Sequence, residues 1–349
     1  MTETQVIDIR ALSKAELQER LVAMGEASFR AKQIYSWLWQ KGARDFGSMT
    51  NLSLELRERL KANFVIRPIQ EDAVQYSEDG TIKYRYRLHD GHLIESVLIP
   101  VPADDRYTVC VSSQVGCSLT CSFCATGQMK RMRNLEAGEI YDQVFMVDHH
   151  CQAVFGRSLT NVVYMGMGEP LLAYKPVLRS VELLTHPDGL NMSPKRITVS
   201  TAGIAKMIKK LADDQVKFNL ALSLHAADDA KRNEIMPINN QNNLEVLRDA
   251  LQYFHRQTGN RISYEYIAFN EFNDSAQDAK NLVKLCGQFP VRVNIIEYNP
   301  VDGVDLKKST ADRIDHFARI LRGKGVMVTI RRSRGKDIDA ACGQLANKG

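Results

Sequence analysis

The first part of the chain has the hydrophobic pattern of short amphipathic helices. Between about residues 14 and 64, apolar residues recur every three or four positions, for example at Leu17, Leu21 and Met24. This spacing places the apolar side chains on one face of a helix. The pattern predicts a small helical accessory domain over residues 1–72.

The segment 73–100 follows a different pattern. Apolar and polar residues alternate in TIKYRYRLHDGHLIESVLIP, on both sides of a turn-forming Asp90-Gly91 pair. Alternation interrupted in this way is typical of a β-hairpin. We expect this hairpin to link the helical unit to a larger domain.

Residues 101–349 alternate strand-like and helix-like segments in a regular order. The strand-like runs are YTVCVSS, NVVYMG, RITVSTAG, FNLALSLH, RISYEYIAF, VRVNIIEYN and GVMVTIRRS. Segments with helical periodicity lie between most of these runs, at residues 136–149, 177–184, 205–213, 243–258, 276–286 and 311–322. Because these units are fewer than the eight of a full barrel, the predicted fold class is α/β, an incomplete (β/α)6-type barrel. In such a fold the loops after the strand ends carry the chemistry.

Composition and charge narrow the class of protein. Of the 349 residues, 44% are hydrophobic and 25% are charged, which excludes a disordered or collagen-like chain. The N-terminus MTETQVIDIR has no apolar signal segment, and no stretch is long enough for a membrane helix, so we expect a cytoplasmic protein.

Basic residues are concentrated in two places. Eight of them, against one acidic residue, lie between Arg313 and Lys336, and Lys130, Arg131 and Arg133 form a second cluster. Such local positive charge favours a polyanionic partner, although a solvated charged surface is the alternative.

The chain has seven cysteines, an odd number that favours ligation or catalysis over a disulfide framework. GCSLTCSFCATG holds Cys117, Cys121 and Cys124 in a C-x3-C-x2-C spacing, on the loop after the first barrel strand. A structural zinc site usually needs four protein ligands, and only one C-x2-C arm is present. Three thiolates suit three corners of a cubane iron–sulfur cluster, with one iron left open.

Further candidate residues lie at the ends of the later strands. The second barrel strand ends in MGMGEP, which contains Gly168 and Glu169, and glycines allow close approach of a ligand. Small or polar residues at other strand ends can hydrogen-bond a ribose, a carboxylate or an adenine edge; they are Ser200, Ser223, Leu224, His225 and Asn299. A lone histidine such as His225 is, out of context, more often structural.

The cysteine spacing, with Phe123 just before the last cysteine, resembles that of the radical S-adenosylmethionine (SAM) superfamily. The resemblance implies one 4Fe-4S cluster on Cys117, Cys121 and Cys124, with SAM bound at the open iron. It also implies that Gly168 and Glu169 hold the amino group of SAM. In this context we expect the strand-end residues to contact SAM as well.

Longer motifs narrow the resemblance from the superfamily to one of its families. CVSSQVGCSLTCSFCATG, MGMGEPLL, ITVSTAG, LSLHA, MPIN, EYNP and DIDAACGQL resemble the family of dual-specificity RNA methyltransferases typified by RlmN. The resemblance covers residues 107–345 and implies methylation of adenine C2 in RNA, at adenosine 2503 of 23S rRNA and adenosine 37 of some tRNAs. It also suggests a flavodoxin-like electron donor, and we expect a monomer.

The same resemblance implies roles for three residues outside the cluster. Cys342 accepts a methyl group from one SAM, and a radical from a second SAM activates that methyl group for addition to the RNA. Cys110 then forms a transient disulfide with Cys342 and releases the product. Glu95 is implied as the base that removes the C2 proton, with an exposed hairpin carboxylate as the alternative.

Two other functions remain open. One is the Cfr-type reaction, which uses the same cysteines but methylates C8 of the same adenine. The other is an iron–sulfur module that binds RNA without SAM chemistry, which would have no use for MGMGEP or for Cys342.

Overall fold

The computed structural model describes residues 6–348 and is built around one ten-stranded sheet. Seven of its strands run parallel, and three antiparallel strands extend one side. The strands are β1 Ile7–Asp8, β2 Phe64–Val65, β3 Gln70–Tyr76, β4 Ile82–Arg87, β5 Leu93–Val101, β6 Arg106–Cys110, β7 Gln114–Val115, β8 Arg133–Asn134, β9 Asn161–Tyr164, β10 Ile197–Thr201, β11 Asn219–Ser223, β12 Ile262–Ala268, β13 Val291–Glu297 and β14 Met327–Arg331.

Ten α-helices accompany these strands in residues 6–348. Three precede the sheet: α1 Lys14–Ala23, α2 Arg30–Trp39 and α3 Leu54–Asn63. Seven lie in the connections between the parallel strands, α7 and α8 in the same one: α4 Ala137–Phe155, α5 Tyr174–Thr185, α6 Ala205–Asp213, α7 Asp229–Ile235, α8 Leu244–Thr258, α9 Ala276–Cys286 and α10 Ala311–Gly323. None of the helices described is long and apolar enough to cross a membrane.

The sheet order is β14-β13-β12-β11-β10-β9-β6-β5-β4-β3. From β6 to β14 each strand pairs in parallel with the next sheet strand along the chain, and helices cover the connections. All seven parallel strands therefore start at one face of the barrel, the strand-start face, and end at the other, the strand-end face. The predicted incomplete barrel is confirmed.

The predicted hairpin is confirmed, but it does not stand alone. β4 and β5 pair on either side of a turn at residues 88–92, and β3 adds a third antiparallel strand. β5 then pairs with β6, with Val97 opposite Cys110. The hairpin thus continues the barrel sheet, and the proposed limits at residues 72 and 100 remain a prediction about domains.

The N-terminal helices pack against the outside of α4. The rings of Trp39 and Tyr141 meet edge to face with centroids 5.0 Å apart, and the Tyr141 hydroxyl donates to the Trp39 carbonyl. Arg10 Nη1 donates to Asp142 Oδ2 at 2.7 Å, and both side chains are largely buried. These contacts hold the accessory unit against the first barrel helix.

The C-terminal segment, residues 332–348, crosses the open side of the barrel. Near its start, Gly335 N donates to Asp79 Oδ2 at 2.9 Å, and Asp337 Oδ1 accepts from Ser77 Oγ at 2.6 Å. Near its end, two backbone amides donate to Glu95 on β5. The segment is therefore anchored on both sides of Cys342.

Candidate functional site

The three cysteines of GCSLTCSFCATG lie on the loop that follows β6. Cys117, Cys121 and Cys124 are free thiols that line one cavity of about 150 Å³ at the strand-end face, called here the cluster cavity. Burial raises the pKa of Cys117 to about 11 and also raises the pKa of the other two thiols. Thiolates at this site need a nearby cation, which the irons of a cluster would supply.

The donor set fits a cluster better than a single metal ion. Within residues 6–348, no group of three or more His, Cys, Asp or Glu side chains is placed to hold one metal ion. A cubane cluster offers a separate iron to each thiolate, so its ligands need not meet at one point. Three thiols from one loop around one cavity are compatible with three corners of such a cluster.

The MGMGEP segment packs against the cysteine loop so closely that glycine is required. Gly168 has a φ of +96°, and a Cβ there would lie 2.5 Å from Cβ of Gln114. A Cβ at Gly166 would lie 2.8 Å from the Val111 backbone. The backbone N–H of Glu169 donates to Gln114 Oε1 at 2.9 Å. These contacts bring Glu169 to the wall of the cluster cavity.

The Glu169 side chain is buried and held by backbone donors. Leu171 N donates to Oε1 at 3.0 Å, and Ala202 N donates to Oε2 at 2.8 Å. Burial raises the pKa of Glu169 to about 6, because the two amides only partly offset the loss of water. The remaining lone pairs of this carboxylate can accept a hydrogen bond from an amino group in the cavity.

Three other predicted residues line the same cavity. The Oγ atoms of Ser200 and Ser223 lie 3.4 Å apart on neighbouring strand ends. His225 Nδ1 accepts from Ile267 N at 3.1 Å, which assigns the ring proton to Nε2. Burial lowers the pKa of His225 to about 3, so the ring is neutral, and it meets Phe123 edge to face.

Two predicted residues lie outside both cavities described here. The Leu224 side chain is fully buried in the main hydrophobic core. Asn299 is buried beside Glu297, to whose carbonyl its Nδ2 donates at 3.4 Å. Within residues 6–348, neither is among the residues that line the two cavities. Their contact with SAM remains a prediction.

Arg232, which sequence reasoning missed, holds the strand ends in place. Its buried guanidinium donates to the carbonyl of Leu224 at 3.0 Å and of Ala202 at 2.6 Å, and to Asn239 Oδ1 at 2.5 Å. Burial lowers the pKa of Arg232 to about 10. Asn239 belongs to the MPIN segment, so that motif supports the site through Arg232. An arginine on the short polar helix α7 gives no sequence signal of burial.

A second cavity, the barrel cavity, has a volume of about 610 Å³ and lies inside the sheet. It is lined by Cys110, at the end of β6, and by Cys342, which also lines the cluster cavity. Cys342 is open to this space, yet the protein around it raises the pKa of its thiol, and burial raises that of Cys110. The structure brings these two predicted thiols to one cavity, next to the cysteine loop.

Glu95 is buried on β5, so the alternative of an exposed hairpin carboxylate is wrong. Its Oε2 accepts from Ala346 N at 3.0 Å and from Asn347 N at 3.1 Å. Lys83 Nζ lies 3.4 Å from Oε1. Glu95 does not line either cavity described here, and its role as a base remains a prediction.

Glu265 on β12 is a second buried carboxylate that sequence reasoning missed. Oε1 accepts from Ser263 Oγ at 2.8 Å and from Asn294 Nδ2 at 2.7 Å. Oε2 makes no hydrogen bond within residues 6–348 but lies 3.6 Å from Arg331 Nη1, and the side chain lines the cluster cavity. A buried acceptor that makes no hydrogen bond is suited to a donor of a ligand in the cavity. The available signal was one carboxylate inside an apolar strand, RISYEYIAF.

Several cations of the two basic clusters seen in the sequence are paired with carboxylates within the fold. Arg133 binds Glu139 and Asp90, and Arg331 lies 3.6 Å from Glu265. Arg332 and Lys336 both bind Glu297, and although burial alone would raise it, these cations lower the pKa of Glu297 to about 2. These four cations are paired with carboxylates, and the expectation that both clusters bind a polyanion remains a prediction.

Comparison with known proteins matches two parts of the chain to described families. Residues 7–66 match the ribosomal RNA large subunit methyltransferase N-terminal domain, and residues 111–283 match the radical SAM superfamily. The chain is 55% identical over 347 residues to a probable dual-specificity RNA methyltransferase RlmN of Cytophaga hutchinsonii, covering 99% of this chain and 94% of that protein. It is 43% identical over 343 residues to the dual-specificity RNA methyltransferase RlmN of Geobacter sulfurreducens, covering 98% and 93%.

A solved structure agrees with this assignment over the whole fold. The crystal structure of a radical SAM methyltransferase from Sphaerobacter thermophilus superposes with a TM-score of 0.92 at 40% sequence identity. The match covers 98% of this chain and all of that chain. The chain therefore belongs to the RlmN family of dual-specificity RNA methyltransferases, within the radical SAM superfamily.

Proposed function

We propose that the protein methylates C2 of an adenine in RNA, with adenosine 2503 of 23S rRNA and adenosine 37 of tRNA as its targets. The single observation that carries the proposal is the shared barrel cavity of Cys110 and Cys342, next to a loop of three free cysteines. Membership of the RlmN family supports the RNA substrate. We place this activity in the cytoplasm.

The cluster cavity is the proposed cofactor site. Cys117, Cys121 and Cys124 would hold a 4Fe-4S cluster, while Glu169 would accept a hydrogen bond from the amino group of SAM. When bound, SAM would supply a methyl group and a carbon radical that removes a hydrogen atom, and the cluster would accept a surplus electron. Ser200, Ser223 and His225 offer hydroxyl and imidazole groups to the rest of SAM.

The two working thiols have separate tasks in this proposal. Cys342 loses its thiol proton and takes the methyl group, whose carbon then bonds to adenine C2 and tethers RNA to protein. The thiolate of Cys110 attacks the sulfur of Cys342, forming an S–S bond and breaking the S–C bond. The electron pair of the broken bond stays on carbon, which takes up a proton to become the product methyl group. A dithiol reductant must then reopen the disulfide.

Glu95, the proposed base for the C2 proton, is bound to the C-terminal segment through its carboxylate. Its Oε2 is occupied by the amides of Ala346 and Asn347, four and five residues beyond Cys342. As the base for the C2 proton, Glu95 would therefore be free only after this end of the segment has moved away. Movement of Cys342 toward the RNA and release of the carboxylate would then be one event.

The decisive experiment combines anaerobic cluster reconstitution with SAM and a 23S rRNA fragment. Unmodified protein should give 2-methyladenosine. Cys342→Ala should give none, and Cys110→Ala should accumulate a covalent protein–RNA adduct. Cys286→Ala, which removes a thiol from α9 that lines neither cavity described here, is the matched control and should behave as the unmodified protein.

The same assay separates the other two functions. A product containing 8-methyladenosine would identify the Cfr-type reaction. RNA binding without methylation of Cys342 would identify an iron–sulfur binding module. We further propose that the protein is a monomer and that it receives electrons from a flavodoxin-like donor. Adding a flavodoxin-like protein to the assay would test the electron donor.

A further inference from the structure

The inner face of the barrel encloses a cavity with both polar and apolar walls, where a barrel interior is usually filled by apolar side chains. Barrel interiors are commonly filled by branched aliphatic side chains. Beside branched aliphatic residues, the wall of the barrel cavity carries a set of small polar residues, which are Thr108, Asn161, Thr198, Asn219, Asn294 and Thr329. This lining leaves space and hydrogen-bonding groups, as expected for a site that receives a polar ligand.

The barrel cavity has two different ends. At the strand-end face it reaches Cys110 and Cys342, and its wall there also includes Arg331, Arg332 and Arg334 at and after the end of β14. At the strand-start face its wall is basic, and the residues there lie at or within two residues of the start of a strand; they are Arg106, Lys195, Arg261 and Arg292. A cavity of about 610 Å³ falls within the roughly 300–1,000 Å³ of common ligand sites. One nucleoside could therefore reach the two thiols from the strand-start face.

Three of these four cations have no carboxylate partner within the fold. Arg106 pairs with Asp104 at 3.5 Å. No Asp or Glu oxygen of residues 6–348 lies within 4.0 Å of the charged nitrogens of Lys195, Arg261 or Arg292. Arg292 is half-buried on β13, where an unpaired charge is costly. We call these three residues the mouth cations.

The loops around this mouth add to the positive charge. Arg196, Lys217 and Lys324 are exposed in loops that lead into β10, β11 and β14. The acidic residues of these loops, Asp188 and Asp214, are paired with Lys14 and Lys210. At the strand-end face, four of the seven cations near the cluster loop and at or after the end of β14 are paired with carboxylates, two of them with the same Glu297. The strand-start face therefore carries a patch of positive charge, around the mouth of the barrel cavity, that is not compensated by carboxylates.

We infer that RNA docks on the strand-start face and that its target adenosine enters the barrel cavity from there. Lys195, Arg261 and Arg292 bind the phosphates that flank the extruded nucleotide. This inference rests on the proposed function and adds to it the docking surface and the phosphate-binding residues. It also separates the two ligands, because SAM and RNA would approach Cys342 from opposite ends of the barrel.

The test compares RNA affinity and its salt dependence in two variants of equal charge change. The mouth variant is Lys195→Gln with Arg261→Gln and Arg292→Gln. The control variant is Lys130→Gln with Arg131→Gln and Lys307→Gln, three exposed cations on strand-end loops. A 23S rRNA fragment is titrated with each reconstituted protein at several salt concentrations. Methyl transfer from SAM to Cys342 without RNA shows that each variant retains an intact cofactor site.

Removal of three phosphate contacts should lower the slope of log Kd against log salt by roughly 2 to 3 in the mouth variant. Its Kd should rise tenfold or more at about 0.1 M salt, while the control variant stays within about twofold of the unmodified protein. Equal losses in both variants, or a loss in the control variant alone, would overturn the docking face while leaving the proposed reaction standing. Unmodified protein that cannot bind RNA would instead overturn the proposed function.

Discussion

Glu169 is a residue whose burial should be visible in its pH dependence. Burial raises its pKa to about 6, and the proposed role requires the ionised form. SAM affinity should therefore fall as the pH falls through 6, by about tenfold between pH 7 and pH 5. Equilibrium dialysis of SAM against reconstituted protein measures this. Glu169→Gln should bind more weakly and without this pH dependence, and an unchanged profile in that variant would exclude Glu169 as the acceptor.

Ionisation of Glu169 should favour SAM binding but destabilise the folded protein. A folded pKa above the unfolded value of 4.5 contributes stability that is present below pH 4.5 and lost as the pH rises through 6. The ionised group thus costs about 2 kcal/mol at pH 7. Glu169→Gln should regain up to that amount in urea unfolding without SAM, consistent with a site kept for function rather than stability.

At the scale of single residues, the sequence identified groups that share a motif and missed those recruited by the fold. The cysteine loop and MGMGEP are continuous segments, so their spacing carried the prediction. Arg232 and Glu265 act through partners on other strands, and no local pattern marks them. Glu95 is bound by amides 251 and 252 residues away, a contact that only the closed barrel creates.

At the scale of elements, the barrel strands were predicted well, because the hydrophobic pattern of a strand has a different period from that of the helices between the strands. The predicted ranges of α6 and α9 agree with the structure at both ends. α7 was not predicted, because its seven residues, DAKRNEI, are mostly polar and too short to show a helical face. β7 and β8 were also missed, since two-residue strands depend on a partner rather than on their own pattern.

The packing of the N-terminal helices on the barrel depends on one buried cation. Arg10 contacts Asp8 and Asp142, and the three side chains are 4%, 5% and 15% exposed. Arg10→Met would leave two carboxylates buried without their cation, so it should lower the free energy of unfolding by roughly 3–5 kcal/mol. Urea denaturation followed by tryptophan fluorescence measures this, since Trp39 packs at the same contact.

Lys61→Met is the control for that experiment. Lys61 pairs with Glu58 on the surface of α3, and an exposed pair contributes less than about 1 kcal/mol. The double variant Arg10→Met with Asp142→Leu should recover part of the loss, because it removes one of the two stranded charges. An Arg10→Met protein as stable as the Lys61→Met protein would show that this ion pair does not hold the accessory unit.

At the scale of the whole molecule, the C-terminal segment completes a barrel that seven parallel strands leave open. Its anchors lie on β5 and on the turn between β3 and β4, so the antiparallel extension serves as the docking edge for the chain end. Cys342 lies between the two anchored stretches. Because the surrounding protein raises the pKa of this exposed thiol, its reactivity should report how often the segment detaches.

Asp337→Ala with Asn347→Ala should make Cys342 more reactive toward an alkylating reagent. Asp337 accepts from Ser77 Oγ and from Glu78 N, and Asn347 Nδ2 donates to the Leu93 carbonyl at 2.9 Å. If these bonds together contribute about 2 kcal/mol to closure, their loss raises the open population by roughly thirtyfold. The alkylation rate of Cys342, measured by mass spectrometry of its peptide, should rise at least tenfold, because detachment removes the thiol from the protein surroundings that raise its pKa.

Two controls show whether such an increase is local. Cys286 on α9 should keep its slow rate in the same samples, because burial raises its pKa to about 12 and the substitutions lie elsewhere. Asp339→Asn removes the same charge from the same segment, and its side chain makes no hydrogen bond within residues 6–348. If Asp339→Asn raised Cys342 reactivity as much as the anchor variant, charge rather than anchoring would govern access. Equal reactivity of Cys342 in the anchor variant and the unmodified protein would mean that the reagent reaches the thiol without detachment of the segment. The carboxylate of Glu95 would then have to be released from its two backbone amides in another way.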